Sequence, residues 1–380
     1  MTLDVHFTSF EILQVSVPAR PEMGIPASAR FDSIPLTLVV GRTNLGFEAL
    51  GESSRVDGVE AIERTLRQLL HIPLNDWTPS TRWMRDSHET GFVSGMMRTR
   101  RLFSWEACED LSMFLLESLW LDAMGRAAGA PAHVLLGGAV RRRVKADFWA
   151  AQPDAQELAA LVAKAHGFGC RGLKMKSDPE GNTAFALAEI ARDVPANFEF
   201  TIDPMFNWRS LHQSRRIFET LSALGLTIRV EDPFPFEVIE DWQMARQRYS
   251  LPIIWHTRSE EDLRIALREQ TADAFNIACR SAHEAVYLSH VLAFHKKDCW
   301  FGSQLESGIF QQVRLHSACV APTCVLASDL QSQWVREHCL VDPPMTTMEG
   351  YAEVSDSPGL GVELNRDAVA RFLVRRWTVE

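Results

Sequence analysis

Short runs of alternating apolar and polar residues occupy positions 1–55 of this 380-residue chain. The runs FEILQVSV, SIPLTLVV and LGFEALGES are separated by Pro, Gly and Ser, a pattern typical of an antiparallel meander of strands. Over 58–70 and 104–129 the apolar residues instead recur every three or four positions, which predicts two helices. Together these segments predict an α+β domain over 1–125.

From Val144 onward, short apolar runs that end in a polar residue alternate with helical segments. The ends of four successive runs follow one another after about 25–28 residues, the length of one strand, one helix and two loops. Eight such units predict a closed parallel (β/α) barrel over 126–335, and an open doubly wound sheet is the alternative. The eight predicted strands are VKADFWA, RGLKMK, FEFTID, TIRVED, PIIWH, AFNIA, DCWFGSQ and TCVLASD.

After the eighth run the chain becomes rich in Pro and Gly, in the segment DPPMTTMEGYAEVSDSPGLGVEL. This segment contains no further unit of strand and helix. We therefore predict that 336–380 is a C-terminal segment that packs back on the N-terminal domain.

Composition narrows the class of partner. The chain has 39 Lys and Arg residues against 49 Asp and Glu residues, a formal net charge of -10, which disfavours nucleic-acid binding and favours a small-molecule ligand. The N-terminus has no basic segment before an apolar core, and no later apolar run is long enough to span a membrane. The seven cysteines form no CxxC pair, so we expect reduced, mostly buried thiols. These features predict a soluble cytoplasmic protein.

Two lysines end the predicted strand RGLKMK. Because side chains alternate along a strand, Lys174 and Lys176 lie on one face and would project together into the barrel mouth. Mutual repulsion of the two ammonium groups should lower at least one pKa, which would make a lysine usable as a base near neutral pH. The alternative is a solvated edge strand without a catalytic role.

Carboxylates end the next two predicted strands. Asp203 follows FEFTI and Glu231 follows TIRV, with Asp232 behind it. Carboxylates at the ends of neighbouring parallel strands converge, and together they could hold a hard cation beside the lysines. Such a cation would stabilise the enediolate formed when a lysine removes a proton next to a carboxylate. The alternative is that each carboxylate caps the helix that follows it.

These motifs, in this order, resemble the enolase superfamily, and most closely its muconate lactonizing branch with a Lys-x-Lys on the second barrel strand. The resemblance extends over nearly the whole chain, from the helix that leads into the barrel to its C-terminal signature. The matching motifs are Leu119-Trp120-Leu121-Asp122 with Gly125, Lys174-x-Lys176, Ile202-Asp203-Pro204, Val230-Glu231-Asp232-Pro233, Gln304-Leu305-Glu306-Ser307 and Pro358-Gly359-Leu360-Gly361-Val362.

The resemblance implies removal of a proton from the carbon next to a substrate carboxylate, with a divalent metal, usually Mg²⁺, holding the enediolate. Lys176 would be the base and Lys174 its electrostatic partner, whereas Asp203 and Glu231 would be the first two metal ligands. Glu306 would lie at the edge of the substrate pocket. The first domain would cap the barrel mouth, with its early loop at 23–32 contributing specificity. Relatives are commonly dimers or octamers, so we expect a homo-oligomer.

The third metal ligand departs from the family pattern. The family has an Asp or Glu at the end of the fifth barrel strand, where this chain has His256. Replacing an anionic oxygen by an imidazole nitrogen weakens Mg²⁺ binding and shifts the preference toward Mn²⁺, iron or zinc. We therefore expect either a divalent metal, Mg²⁺ or Mn²⁺, with His256 as a ligand, or no metal, with a cation such as Arg258 occupying the region.

The sixth strand also departs from the pattern, because Ala278 stands where the branch has a second lysine and His283-Glu284 replaces a Gly-Gly. Arg280 is close by but is a poor base, since a guanidinium group keeps its proton. The His-Asp dyad of the mandelate racemase branch is missing as well. We therefore predict a lyase or isomerase that performs a one-base elimination or cycloisomerisation on a small carboxylate. The alternative is an altered, inactive barrel that binds a carboxylate or acts as a scaffold.

Overall fold

The computed structural model describes most of the chain. Residues 23–31 of the predicted early loop lie outside the described residues, as do Arg258, Arg280 and Gln304. The residues that the structure describes are 4–20, 32–53, 59–75, 111–257, 259–278, 281–303, 305–330 and 332–380.

The helices and strands are numbered here in chain order. The strands are β1 (Phe7–Pro18), β2 (Ser33–Thr43), β3 (Glu48–Ser53), β4 (Arg143–Lys145), β5 (Phe148–Ala150), β6 (Gly172–Lys176), β7 (Glu199–Asp203), β8 (Thr227–Glu231), β9 (Ile253–Thr257), β10 (Ala274–Ile277), β11 (Asp298–Phe301), β12 (Val341–Asp342), β13 (Thr347–Met348), β14 (Tyr351–Glu353), β15 (Glu363–Leu364) and β16 (Leu373–Val379). The helices are α1 (Val59–Leu69), α2 (Leu111–Ala128), α3 (Ala132–Leu135), α4 (Ala155–Gly167), α5 (Asn182–Ile190), α6 (Leu211–Ser222), α7 (Ile239–Arg248), α8 (Glu260–Arg268), α9 (Ala282–Phe294), α10 (Gly308–Val320), α11 (Ser332–Val335) and α12 (Arg366–Phe372).

The N-terminal strands form an antiparallel sheet in the order β16-β1-β2-β3, so the predicted meander is confirmed. Helix α2 packs against β3. The fourth strand comes from the end of the chain, because β16 pairs antiparallel with β1 and places Trp377 opposite Ile12. The C-terminal residues thus lie on the N-terminal sheet. The boundaries of the three predicted domains, at 125/126 and 335/336, stay predictions.

The barrel strands β5 to β11 are parallel and lie side by side in chain order. The segment after α10 joins the two edges of this sheet: Cys324 bridges to Cys299 of β11, and Ser328 bridges to Ala146 just before β5. Because one segment bonds to both edges, the sheet closes on itself. The predicted (β/α) barrel with an N-terminal α+β domain is confirmed, and the open sheet is excluded.

Two predicted strands differ in detail from those observed. The first, VKADFWA, is divided, because β4 pairs antiparallel with β14 whereas β5 enters the barrel. Between them the backbone N–H of Ala146 donates to Gly350 O (3.0 Å) and that of Asp147 to Ser328 O (2.9 Å), so the chain changes partners at this point. The eighth predicted strand forms isolated bridges only.

Two of the family-like motifs meet between α2 and the C-terminal segment. A side chain at Gly125 would collide with Gly359, because a Cβ atom there would lie 2.7 Å from the Gly359 Cα. Buried Asp122 accepts hydrogen bonds from the backbone N–H groups of Leu360 (2.9 Å) and Leu50 (2.9 Å). Asp122 therefore connects α2, the N-terminal sheet and the C-terminal segment, which is a structural role.

Other expectations from composition can be compared with the structure. Five cysteines, Cys170, Cys299, Cys319, Cys324 and Cys339, are buried free thiols, as expected. Among the described helices, none combines the length and the apolar character needed to cross a bilayer.

A buried histidine lies between α3 and α10. His316 is fully buried, accepts a hydrogen bond at Nδ1 from the His133 backbone N–H (3.3 Å), and has Nε2 3.2 Å from the Leu360 carbonyl oxygen. Burial lowers the pKa of His316 from 6.5 to about 4, and the nearby His133 acts in the same direction. The folded chain therefore holds this imidazole neutral.

We expect this histidine to make the fold sensitive to acid. Because the folded pKa lies below the unfolded one, the stabilisation is fully present above about pH 6.5 and is lost as the pH falls toward 4, by up to about 3 kcal/mol. Urea denaturation at several pH values, with wild type and His316→Gln, measures this contribution. The glutamine amide keeps a donor but does not titrate, so the variant should lose less stability than wild type across this range. Parallel curves would contradict the assignment.

Candidate active site

The ends of barrel strands β6 to β9 bring the predicted site residues together at one end of the barrel. In the strand register, Lys176 lies opposite Asp203, and Glu231 lies opposite Ile254, two positions before His256. Strand β6 lies between β5 and β7 inside the barrel, so the alternative of a solvated edge strand for Lys174 and Lys176 is excluded.

Lys174 is surrounded by carboxylates. Its ammonium nitrogen lies 2.7 Å from Glu231 Oε2, 3.4 Å from Asp329 Oδ2 and 3.6 Å from Asp203 Oδ2. Burial alone would lower the pKa of Lys174, but Asp329, Glu231 and Asp203 outweigh it and raise the pKa. The neighbours of Lys174 therefore raise its pKa, and its side chain is a fixed cation, whereas the expectation was a lowered pKa for at least one of the two lysines.

Lys176 has a different environment. It pairs with Asp203, and its side chain is 21% exposed, against 4% for Lys174. Of the two amines, Lys176 is thus the more exposed. Lys176 forms an ion pair with one carboxylate, whereas Lys174 faces three.

Asp203 accepts hydrogen bonds from Lys176 and from the protein backbone, and it forms an ion pair with Lys174. Its Oδ1 accepts a hydrogen bond from the Met205 N–H (2.9 Å), and its Oδ2 faces Lys176 and Lys174. Burial would raise the pKa of Asp203, but the two ammonium groups lower it. Asp203 does not cap the following helix, since the N-cap of α6 is Ser210.

Glu231 divides its two oxygens between different partners. Oε2 faces Lys174, and Oε1 accepts a hydrogen bond from Asn276 Nδ2 (2.7 Å). The Nδ1 atom of His256 lies 3.6 Å from the same Oε1 atom. Glu231 is also not a helix cap, because α7 begins after Val238.

Asp232 adds a third possible metal ligand to Glu231 and His256. Its Oδ2 lies 3.7 Å from His256 Nδ1, and ligand atoms of Glu231, Asp232 and His256 all lie within 4.8 Å of one another. Two carboxylate oxygens and one imidazole nitrogen suit a divalent metal ion. The described residues therefore fit a cation, and this donor group shares Glu231 and His256 with the predicted ligand set.

Glu306 lies at a different edge of the barrel mouth. Its Oε2 accepts from Ser303 Oγ (2.7 Å), and it is one of two carboxylates, with Glu52, whose charge acts on buried Arg336. Burial lowers the pKa of Arg336 to about 10, against the opposing effect of these carboxylates. The predicted role of Glu306 at the pocket edge stays a prediction.

Two buried carboxylates from the first third of the chain bind the N-termini of barrel helices. Glu52 of β3 accepts from the Ser307 N–H (2.6 Å), the Ser307 hydroxyl and the Phe310 N–H at the start of α10. Glu117 of α2 accepts from the Ala282 N–H and lies 2.5 Å from His283 Nδ1 at the start of α9. The N-terminal domain is thus fixed against the strand ends β10 and β11.

On the side opposite the lysines, Ala278 is buried and apolar, and His283 is bound to Glu117. Sequence reasoning missed three residues of the site: Asp329, Asn276 and Asp232 as a donor. The rule that polar residues ending barrel strands form the site would have found Asp329, since it ends the eighth predicted run.

Comparisons with known proteins agree with this architecture. Residues 154–368 match the family model described as enolase C-terminal domain-like. Muconate cycloisomerase 1 of Rhodococcus opacus is 27% identical over 68% of this chain and 69% of its own length. The N-succinyl-L-Arg/Lys racemase of Bacillus cereus is 22% identical over 97% of this chain and 98% of its own length.

Solved structures show the same fold. The crystal structure of that racemase covers 99% of this chain and 100% of its own, with a TM-score of 0.79 and 18% identity. The muconate lactonizing enzyme from Pseudomonas putida covers 97% of this chain and 100% of its own, with a TM-score of 0.74 and 18% identity. The named relatives are enzymes.

Proposed function

Because this chain belongs to the enolase C-terminal domain-like family, in the mandelate racemase and muconate lactonizing group of the enolase superfamily, we propose that it is a one-base lyase or isomerase. Its substrate is a small carboxylate, and the reaction is a β-elimination or a cycloisomerisation. The observation that carries this proposal is the asymmetry of the barrel mouth: an accessible lysine on one side, and Ala278 on the other.

The substrate class follows from the relatives and from the charges of the site. The relatives' names include a muconate cycloisomerase, an N-succinylamino acid racemase, an o-succinylbenzoate synthase and a glucarate dehydratase. Muconate, succinyl amino acids, o-succinylbenzoate and glucarate all carry carboxylates. A carboxylate substrate would find the Lys174 and Lys176 cations at the barrel mouth.

Lys176 is an ammonium group in its ion pair with Asp203, so in the proposed first step it has given up that proton to solvent and, as a neutral amine, accepts the proton bound to the carbon next to the carboxylate. The electron pair of the broken C–H bond moves into the carboxylate, which becomes an enediolate, and Lys176 becomes an ammonium group. Lys174 stays positively charged throughout and attracts the developing negative charge. A divalent cation, Mg²⁺ or Mn²⁺ in the family-based expectation, would be held by Glu231, His256 and a further carboxylate and would neutralise the enediolate.

The proposal extends to the N-terminal domain. Residues 1–125 would cap the barrel mouth, with Glu52 and Glu117 fixing the cap against α10 and α9. Glu306 would bound the pocket on the side of β11, with its carboxylate held by Ser303.

One-base chemistry predicts proton exchange without loss of configuration. In D₂O, a carboxylate that binds the protein should gain deuterium at the carbon next to the carboxyl group, while its enantiomeric purity is retained, because the isotope returns from the same side. Mass spectrometry and chiral chromatography measure the two quantities on N-succinyl amino acids, which have a stereocentre at that carbon. Mass spectrometry alone measures exchange into o-succinylbenzoate-type acids, and binding of each acid is first shown by calorimetry. Exchange with racemisation would contradict the one-base proposal, and binding without any exchange would favour the inactive, carboxylate-binding barrel.

A further inference from the structure

We propose that Glu231, Asp232 and His256 together bind a divalent transition-metal ion, such as Zn²⁺ or Mn²⁺, in preference to Mg²⁺. In this assignment Asp203 is not a ligand but the counter-ion of the two lysines. The inference deepens the proposed function, since it concerns the cation which that function requires. It is tested on the resting protein without substrate, so its failure is distinguishable from failure of the reaction.

The donor atoms have a spacing that suits such an ion. His256 Nδ1 lies 3.6 Å from Glu231 Oε1 and 3.7 Å from Asp232 Oδ2, and one ligand atom from each of the three residues lies within 4.8 Å of the others. Ligand atoms that share one zinc ion at ~2.0–2.2 Å lie roughly 3–4 Å apart. Little movement would therefore be needed to bind an ion.

The backbone turns Asp232 toward this point. Asp232 has a φ of +45°, a left-handed conformation that few residues other than Gly, Asn and Asp adopt readily. Its Oδ1 accepts a hydrogen bond from the His256 N–H (2.9 Å), which leaves Oδ2 on the side of the imidazole ring. The strained conformation and the hydrogen bond together fix the carboxylate beside the proposed ion.

Glu231 is held in place by two neighbours. Asn276 Nδ2 donates to Oε1 from one side, and Lys174 attracts Oε2 from the other. Such outer partners fix the rotamer of a ligating carboxylate and commonly increase metal affinity. The three proposed ligands lie at the ends of neighbouring strands. Glu231 ends β8, Asp232 follows it, and His256 is in β9.

Both carboxylate oxygens of Asp203 already have partners outside the proposed metal site. Lys176 and Lys174 both face its Oδ2, and the Met205 N–H donates to its Oδ1. Asp203 also falls outside the group of residues whose ligand atoms converge. Moving its carboxylate to a metal would leave two ammonium groups near a divalent cation without their common counter-ion, which is electrostatically unfavourable.

The donor types decide which ion binds. Mg²⁺ prefers oxygen ligands in near-ideal octahedral geometry and seldom takes imidazole. An imidazole nitrogen with two carboxylate oxygens suits zinc and the other first-row divalent metals. His256 thus shifts the site from Mg²⁺ toward this series.

Calorimetric titration of the full chain, freed of metal by a chelator, with Zn²⁺, Mn²⁺ and Mg²⁺ separately tests the assignment. We expect Zn²⁺ and Mn²⁺ to bind wild type at least about tenfold more tightly than Mg²⁺. Asp232→Asn should weaken Zn²⁺ binding about tenfold or more. Asparagine tolerates the left-handed backbone and can still accept from the His256 N–H, so this variant should fold. The matched control, Asp203→Asn, removes the same charge from a residue that is not a proposed ligand, so it should weaken Zn²⁺ binding less than Asp232→Asn does.

A second variant tests the choice of ion. His256→Asp restores a carboxylate at this strand end and should reduce the preference for Zn²⁺ over Mg²⁺ by about tenfold or more. Three results would overturn the proposal: no ion binds wild type, Mg²⁺ binds as tightly as Zn²⁺, or Asp203→Asn weakens binding while Asp232→Asn does not. The last result would instead assign the family-based ligand set of Asp203, Glu231 and His256.

Discussion

Replacing Lys176 by Met should lower the rate of deuterium exchange into a bound carboxylate by about 10³-fold, because it removes the proposed base from the barrel mouth. Substrate affinity should fall far less, since the Lys174 cation remains in place. Rates from mass spectrometry and affinities from calorimetry separate the two effects. A methionine of similar length fills the space of the lysine side chain, so the packing at the end of β6 is kept.

Lys176→Arg is the informative control for this variant. Arginine keeps a positive charge next to Asp203, so the ion pair and the fold are retained. A guanidinium group does not lose its proton near neutral pH, and it therefore cannot act as the base. We expect the arginine variant to be as slow in exchange as the methionine variant. If arginine restores exchange, Lys176 acts as a cation only, and the base is elsewhere.

The sequence predicted the barrel because its signals are local. Each strand end lies within a run of a few apolar residues, and the regular return of such runs defines the βα unit. The closure of the barrel agrees with that count. The division of VKADFWA into β4 and β5 could not be predicted in this way, because the partners that separate them, Gly350 and Ser328, are distant in sequence.

The pKa shifts of the site were harder to predict, because they too depend on residues that are distant in sequence. From the pattern Lys-x-Lys alone, repulsion between two lysines is the visible effect, and a lowered pKa follows. The structure adds Asp329 from the closing segment of the barrel, next to Glu231 and Asp203, and the pKa of Lys174 rises instead. Similarly, the direction in which the Asp232 carboxylate points depends on the left-handed backbone of this residue. The sequence pattern did not predict that conformation.

Lys174→Met should be among the most destabilising single changes in this barrel, by about 3–5 kcal/mol in the free energy of unfolding. Three buried carboxylates, Glu231, Asp329 and Asp203, face the Lys174 ammonium group. Without it, all three carboxylates lose the ammonium group that they share, and their buried negative charge must be either protonated or less well compensated, which is costly in a low-dielectric interior. Urea denaturation at pH 7 in the presence of a chelator measures the loss without a contribution from bound metal.

A double variant separates this electrostatic cause from a simple packing defect. Asp329→Asn removes one negative charge with almost no change of shape, so Lys174→Met combined with Asp329→Asn should recover about 1–2 kcal/mol of the loss. Such a recovery of stability is expected only if Lys174→Met destabilises the protein through uncompensated negative charge. A loss of side-chain volume alone would not be relieved by Asp329→Asn. If the double variant is as unstable as the sum of the two single ones, the carboxylates do not depend on Lys174. In that case Lys174 would not be the fixed cation that we infer. The proposed stabilisation of the enediolate by Lys174 would then be wrong.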